Sequence, residues 1–176
     1  MITYTGITSL DGYVNDSDGN FDWSEPDAEV HEFVNELSRP VGTFVFGRRM
    51  YETLSVWQNM PLDVYHPYIN EYARIWRAAD KVVYSKTLAK TTTDRTRLER
   101  SFDPSTLAQL RGEVSIGGPT LAAQAIDVID EFRMLVSPVI VGGGTLFLPK
   151  GANLQLDLLD ERRFGNGVVF LRYGRR

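Results

Sequence analysis

Short apolar segments, each closed by a glycine or a hydroxyl and each followed by a helical pattern, recur along this chain. That alternation limits the possible folds more than any other feature. Ile2–Thr8 alternates apolar and polar residues as a strand does. Asp11-Gly12 and Asp18-Gly19-Asn20 then break the pattern with turn chemistry. Ser24 reads as a helix cap, with Pro26 in the first turn and Asp27 at capping-box spacing. Val30, Phe33, Val34 and Leu37 follow at i, i+3, i+4 and i+7, so one face of that helix is buried. Thr43–Phe46 is a second strand, ended by Gly47 and continued by a helix over Arg48–Leu54. Residues 55–70 read as an ordered loop, Ile69–Ala79 as a helix and Lys81–Ser85 as a strand. An irregular polar stretch leads to a capped helix near Pro104–Leu110. Glu113–Ile116 is a strand, Pro119–Ile126 a helix, and Phe132–Val141 a longer strand closed by Gly142-Gly143-Gly144. Leu154–Arg163 and Val168–Tyr173 flank the turn Phe164-Gly165-Asn166-Gly167 as a terminal hairpin. This order predicts a three-layer α/β fold: a mostly parallel central sheet, helices on both faces and an antiparallel hairpin at one edge.

At 176 residues the chain suits a single domain over 1–176. A domain of that size buries roughly 70% of the surface its unfolded chain exposes, enough to need no covalent staples. There are no cysteines and only His31 and His66, so disulfides, zinc–thiolate sites and a His-built metal centre are not expected. The start, MITYTGITSLDGYV, lacks the basic and apolar regions of a signal peptide, and no stretch approaches the roughly 20 apolar residues of a membrane span. The expectation is a soluble, cytoplasmic protein. A net charge of −4 argues against a nucleic-acid binder, which needs excess Lys and Arg for phosphate. The basic clusters Arg48-Arg49 and Arg95–Arg100 instead suit a small phosphorylated ligand, and Arg172–Arg176 reads as a solvated face.

The strongest local signal is the strand ending in Gly117-Gly118-Pro119-Thr120 and entering a helix. Paired glycines admit a ligand where any Cβ would collide, and a helix start favours an anion. An ordinary tight turn is the plain alternative. The motif is not G-x-G-x-x-G after the first strand, so a Rossmann dinucleotide site is not indicated. Gly47-Arg48-Arg49 forms a second strand–glycine–helix junction, with two guanidiniums that suit bidentate phosphate binding. Ligands of open parallel sheets bind outside the carboxyl ends of strands, so two such junctions side by side could hold a diphosphate. A third strand ends in Ser85-Lys86-Thr87, whose hydroxyls and ammonium suit the extra phosphate of NADPH.

These motifs fall in a recognisable order. Ser9-Leu10-Asp11-Gly12-Tyr13-Val14, Asp22-Trp23, Phe46-Gly47-Arg48-Arg49-Met50-Tyr51-Glu52, Ile116-Gly117-Gly118-Pro119-Thr120 and Pro138–Gly144 together resemble the dihydrofolate-reductase-like superfamily. The nearest likeness is to the C-terminal reductase domain of the bifunctional riboflavin-biosynthesis deaminase/reductase and its stand-alone relatives. The resemblance covers nearly the whole chain. It implies NADPH bound by Gly47, Arg48, Arg49, Met50, Ser85, Lys86, Gly117, Gly118, Pro119, Thr120 and Leu121. It also implies a cis Gly117–Gly118 peptide, a mobile loop over Leu10–Trp23 and a homodimer.

Reduction of a C=N or C=O carbon requires a nearby acid. Asp27 lies three, seven and ten residues before Val30, Val34 and Leu37, so it shares the buried stripe; it is also the capping-box acid. Counting from Trp23 and Pro26, the dihydrofolate-reductase carboxylate falls on Ala28, a slip of about 100° round the helix. Asp11, in its Ser-Leu-Asp-Gly setting, is the other candidate acid, with an Asp-Gly turn as its plain reading. Trp23, Tyr51 and Trp57 are candidate stacking partners for a heterocyclic substrate, or core, and His31 is expected at the surface. The expected function is NADPH-dependent reduction of a small heterocyclic or ribosylamino compound. Dihydrofolate reduction is the enzymatic alternative, and a non-catalytic NADP(H)-binding protein the alternative of another class.

Overall fold

A computed structural model describes residues 1–176. In chain order the strands are β1 (Ile2–Thr8), β2 (Tyr13–Asn15), β3 (Val41–Gly47), β4 (Asp80–Tyr84), β5 (Thr96–Glu99), β6 (Glu113–Gly117), β7 (Glu131–Val136), β8 (Thr145–Leu146), β9 (Leu156–Arg163) and β10 (Val169–Arg175). The helices are α1 (Ala28–Ser38), α2 (Arg48–Leu54), α3 (Val56–Asn59), α4 (Pro67–Ala78) and α5 (Pro119–Gln124), with 3-10 turns at Asp22–Ser24 and Pro104–Gln109. Eight strands form one sheet in the order β5-β4-β3-β6-β1-β7-β10-β9, while β2 and β8 pair separately. The first six strands run parallel, and β10 and β9 close the edge antiparallel, as the strand–helix alternation predicts.

Both sheet faces are apolar because successive strand residues point to opposite sides. Val45, Val82, Val114, Ile116 and Phe132 pack with Leu121 and Ala122 of α5 on one face. Phe44, Phe46 and Val83 pack with Tyr51 of α2 and Trp76 of α4 on the other. Val30 of α1 joins Leu135, Phe164 and Phe170, with Phe33, Val34 and Leu37 alongside, so the expected stripe is the face that docks.

Several elements differ from expectation, each for a local reason. Residues 55–70 are not all loop: α3 lies within them, and α4 starts at Pro67, which sits in the first turn where its missing N–H costs nothing. The polar stretch before Pro104 contains β5, an edge strand whose pattern Thr-Arg-Leu-Glu carries little apolar signal. The strand expected to reach Val141 stops at Val136, because Pro138 cannot donate to a ladder. The segment near Pro104–Leu110 is a 3-10 turn. His31 is not a surface residue: its ring packs among Trp57, Tyr68 and Tyr72 between α1 and α4, and burial holds its pKa below the usual imidazole value. The C-terminal arginines are not merely solvated. Arg172 pairs with the buried Glu131 at 2.6 Å, and Glu131 also binds the buried Arg133, which reaches Glu113.

Lys81 is 1% exposed. Its Nζ donates to the carbonyls of Trp76 and Ala79, both at 2.9 Å, and so closes the C-terminal end of α4. It also lies 4.3 Å above the Trp76 ring. Burial, reinforced by the Arg95 charge, pulls its pKa down from 10.5 to about 8. Between those two values the unfolded chain holds a proton that the folded chain has released, so this group makes stability rise with pH across that window. Denaturation of wild type and Lys81→Met at a series of pH values should show the wild-type advantage growing from pH 8 towards 10.5. A pH-independent difference would mean that Lys81 titrates normally.

Candidate active site

The parallel strands all end at one edge, which reads β4, β3, β6, β1, β7 across the sheet. β3 and β6 lie flush there, with Phe46 opposite Gly117. The chain leaves β3 into α2 on the Phe46 face and leaves β6 into α5 on the Val45 face. Adjacent strands whose connections depart to opposite faces form a topological switch point, the place where open α/β sheets take ligands. The two glycine-marked junctions are therefore neighbours. A Cβ on Gly117 would stand 2.7 Å from Phe46 Cδ1 and 3.2 Å from Met50 Cγ, and one on Gly47 would stand 3.9 Å from Leu121 Cγ. Met50 and Leu121 are thus the packing that joins the junctions from beneath. Gly118 adopts φ 99° and precedes Pro119 and the exposed Thr120. The Gly117–Gly118 peptide is trans, contrary to the cis form the resemblance implies; the positive φ of Gly118 makes the turn instead.

Arg48 and Arg49 are exposed at the start of α2. Arg48 spans the β3–β4 gap: its Nε donates to Glu52 at 2.8 Å and its Nη1 to Thr87 Oγ1 at 3.1 Å. Ser85 Oγ accepts from the amides of Thr87 and Leu88, shaping the loop that presents Lys86 to solvent. Arg100 ties that loop down by donating to the carbonyls of Ser85 and Leu88.

Further along the same edge, beyond β1 and β7, lies a cleft of about 210 Å3 under the N-terminal end of α1. Its walls include Ile7, Trp23, Glu25, Val30, Ser137 and Asn166. Two inter-strand spacings, roughly 10 Å, separate β6 from β7. Trp23 presents a buried indole N–H with no acceptor in the protein, and Thr8 Oγ1 at the end of β1 is likewise buried without a partner. Of the three aromatics expected at a substrate site, Trp23 alone is in the cleft. Tyr51 is turned into the core, its hydroxyl engaged by Thr92 and Thr93, and Trp57 is packed against His31 and Tyr72.

The two candidate acids have structural positions. Asp27 is the N-cap of α1, accepting from Val30 N at 3.0 Å, and is exposed rather than on the buried stripe. Pro26 explains the shift: Glu25 before it is extended at ψ 118°, so the helix starts only after Asp27, and Ser24 closes the 3-10 turn instead. Asp11 accepts from the amides of Val141 and Gly142 at 3.2 and 2.8 Å. A hydrogen bond from Ser9 and these two amides hold its carboxyl below the usual range, which favours an acceptor over a proton donor. Asp11 thereby fastens the Leu10–Trp23 segment to the loop after β7, and the β2–β8 ladder fastens it a second time. Glu25, which sequence reasoning passed over, is the carboxylate that lines the cleft. Its signal was faint: an acid held extended by the following proline.

The family model of the RibD C-terminal domain matches residues 1–170. The chain belongs to that family. YyaP of Bacillus subtilis (strain 168), an uncharacterised protein, is 25% identical over 175 residues, covering 94% of this chain and 89% of its own. YwjB of the same organism, also uncharacterised, is 26% identical over 168 residues, covering 91% and 90%. Among solved structures, a Shewanella sp. PV-4 protein placed provisionally in riboflavin biosynthesis superposes with TM-score 0.76 at 22% identity, covering 99% of this chain and 98% of that one. A pyrimidine reductase-like protein from Corynebacterium diphtheriae gives 0.69 at 17%, covering 99% and 91%. The deaminase/reductase of Thermotoga maritima gives 0.68 at 13%; all of this chain matches 56% of that one. The family and these neighbours bear out the dihydrofolate-reductase-like fold.

Gly117→Ala should destabilise the chain by about 1–3 kcal/mol, the usual cost of forcing a methyl into packed surroundings. The added carbon must displace the Phe46 ring, which closes the β3–β6 end. Denaturant midpoints check this, and an unchanged midpoint would show that the ring yields freely.

Proposed function

We propose that the chain is an NADPH-dependent reductase that passes hydride to a small heterocyclic or ribosylamino substrate. The type is that of 5-amino-6-(5-phosphoribosylamino)uracil reductase, and the homodimeric state the resemblance implies goes with it. The observation that carries this reading is the register of Phe46 with Gly117, which sets two helix starts beside each other at the switch point. Family membership supports the same reading.

The residues present fit the cofactor. Gly118, at φ 99°, keeps the turn into α5 free of a side chain, both helix starts lack side-chain caps, and Arg48, Arg49 and Lys86 are exposed around them. In this reading Gly47–Met50 and Gly117–Leu121 hold the diphosphate, and Arg49, Lys86 and Ser85 receive the extra phosphate, with Arg48 bridging. NADPH would supply the hydride. In the neighbouring cleft Trp23 donates its unpaired indole N–H to a substrate acceptor. Ser137 and Asn166 supply further polar contacts, and Glu25 delivers the proton at its carboxyl oxygen. Asp27 caps α1, and Asp11 holds the loop beside the cleft.

NADPH oxidation by the purified protein, with a panel of ribosylaminopyrimidines and dihydrofolate, tests the activity. Arg49→Ala and Lys86→Ala should weaken NADPH at least tenfold more than NADH, since a charge-assisted hydrogen bond contributes roughly 1.5–3 kcal/mol. Equal losses would remove these residues from reading the extra phosphate. Turnover of dihydrofolate alone would transfer the assignment to that reaction. Binding without any turnover would make the chain a nucleotide-binding module.

Glu25→Gln should lower kcat by about a hundredfold, the low end for a positioned acid. Asp27→Asn should leave it nearly unchanged, because Asn caps a helix as well as Asp. The reverse outcome would return the acid role to Asp27.

A further inference from the structure

At the opposite edge of the sheet, where β3, β4 and β5 begin, the structure holds a second cleft, open and about 580 Å3 in volume. It lies four residues back along β3 from Gly47, a distance of roughly 13 Å. Its charged lining is Lys81, Arg95, Arg97 and Arg111 against a single carboxylate, Asp80, with Thr43, Thr96 and Gln109 between them. Asp80 serves two guanidiniums at once: Arg95 at 2.7 Å and Arg111 at 3.6 Å. Arg97 is 60% exposed and pairs with Glu99 from outside the lining. Asp94 is turned to Gln58. The cleft therefore keeps a surplus of positive charge on a chain whose net charge is −4.

The backbone contributes to this arrangement. Arg95 adopts φ 52°, a region few non-glycine residues enter, and it is there that its side chain meets Asp80. Gly42 and Gly112 pack backbone to backbone, which sets the Arg111 turn against β3, and Arg111 O accepts from Thr43 Oγ1. Lys81 forms the floor, spent on helix carbonyls and under the influence of the Arg95 charge. Guanidiniums fixed around one undersized anion are a planar, forked donor set that matches phosphate oxygens.

We propose that this cleft binds a diphosphate group, as free pyrophosphate or as the tail of a nucleoside diphosphate, independently of the reductase site. Arg111, Arg97 and Arg95 receive its oxygens, and Asp80 sets the resting geometry that the ligand displaces. The surplus charge and the concave shape, on a chain whose net charge is −4, favour a compact polyanion over a polymer.

Isothermal titration of the full chain with pyrophosphate, ADP and orthophosphate at constant ionic strength tests this. Pyrophosphate and orthophosphate should rank in that order, and tighter binding of ADP than of pyrophosphate would identify a nucleotide as the source. Arg111→Gln and Arg97→Gln, both at exposed side chains, should each weaken pyrophosphate about tenfold, the low end for a charge-assisted hydrogen bond. Asp80→Asn should tighten it by a similar factor, and Arg48→Ala should leave this site unchanged. The proposal is overturned if no anion binds, or if Arg48→Ala abolishes binding while Arg111→Gln does not. It is also overturned if Asp80→Asn weakens binding as much as the arginine changes do, which would mark the cluster as an internal ion-pair network. None of these outcomes depends on NADPH turnover.

Discussion

The Phe46 ring lies against Gly117 across the β3–β6 pairing, so close that no side chain fits at position 117. Two parallel strands can thus end level while their helices leave to opposite faces. A larger residue at 117 would push the end of β6 away from β3 and separate the starts of α2 and α5. The core is arranged to hold that register. Val45 and Ile116 bury one side of the paired strands, and Phe44 and Phe46 the other side of β3, so slippage by one residue would exchange the two cores. The switch point is consequently a product of packing, and its location follows from the placement of one glycine.

Charge is distributed by the same economy. The interior ion cluster of Arg133 with Glu113 and Glu131, extended by Arg172, sits where β6, β7 and β10 begin or end at the edge remote from the switch point. Buried charges survive only in such paired, hydrogen-bonded sets. Towards the switch-point edge several carboxylates are occupied: Glu52 takes Arg48, Asp11 takes two amides, Asp27 takes one. Glu25 lines the cleft wall together with Trp23, whose buried indole N–H the protein does not satisfy. A buried donor without a partner costs roughly 1–3 kcal/mol, and the Trp23 indole is the one such donor on the cleft wall.

The parallel core was legible from the sequence because buried central strands are continuous apolar runs and the glycines that end them are unambiguous. β3, β6 and both junctions fall where the pattern puts them. The edges were less legible. β5 is half polar, and the β2–β8 ladder owes its existence to loop contacts rather than to propensity. The positions of the acids are less legible for a specific reason. The spacing to Val30, Val34 and Leu37 puts Asp27 on the buried stripe only where the helix already includes it, whereas Pro26 delays the start to Ala28 and makes Asp27 the cap itself. Tyr51 and Trp57 lie away from the cleft for a related reason, since residue type cannot tell an aromatic that packs α2 or α4 from one that lines a cleft such as Trp23.

The loop over Leu10–Trp23 is tied by polar contacts: the Asp11 carboxylate, Leu10 N to Val139 O at 2.7 Å, Phe147 N to Gly12 O and Thr145 N to Asn15 Oδ1, both at 2.9 Å, and a ladder of two residue pairs. Val14 packs against the core, whereas Leu10 is 63% exposed. Segments secured in this way open at a small free-energy cost compared with global unfolding. These contacts are made by the segment from Val139 to Phe147, and the preceding Ser137 and Pro138 with Val139 form a wall of the cleft. The loop and the cleft thus share the residues that follow β7.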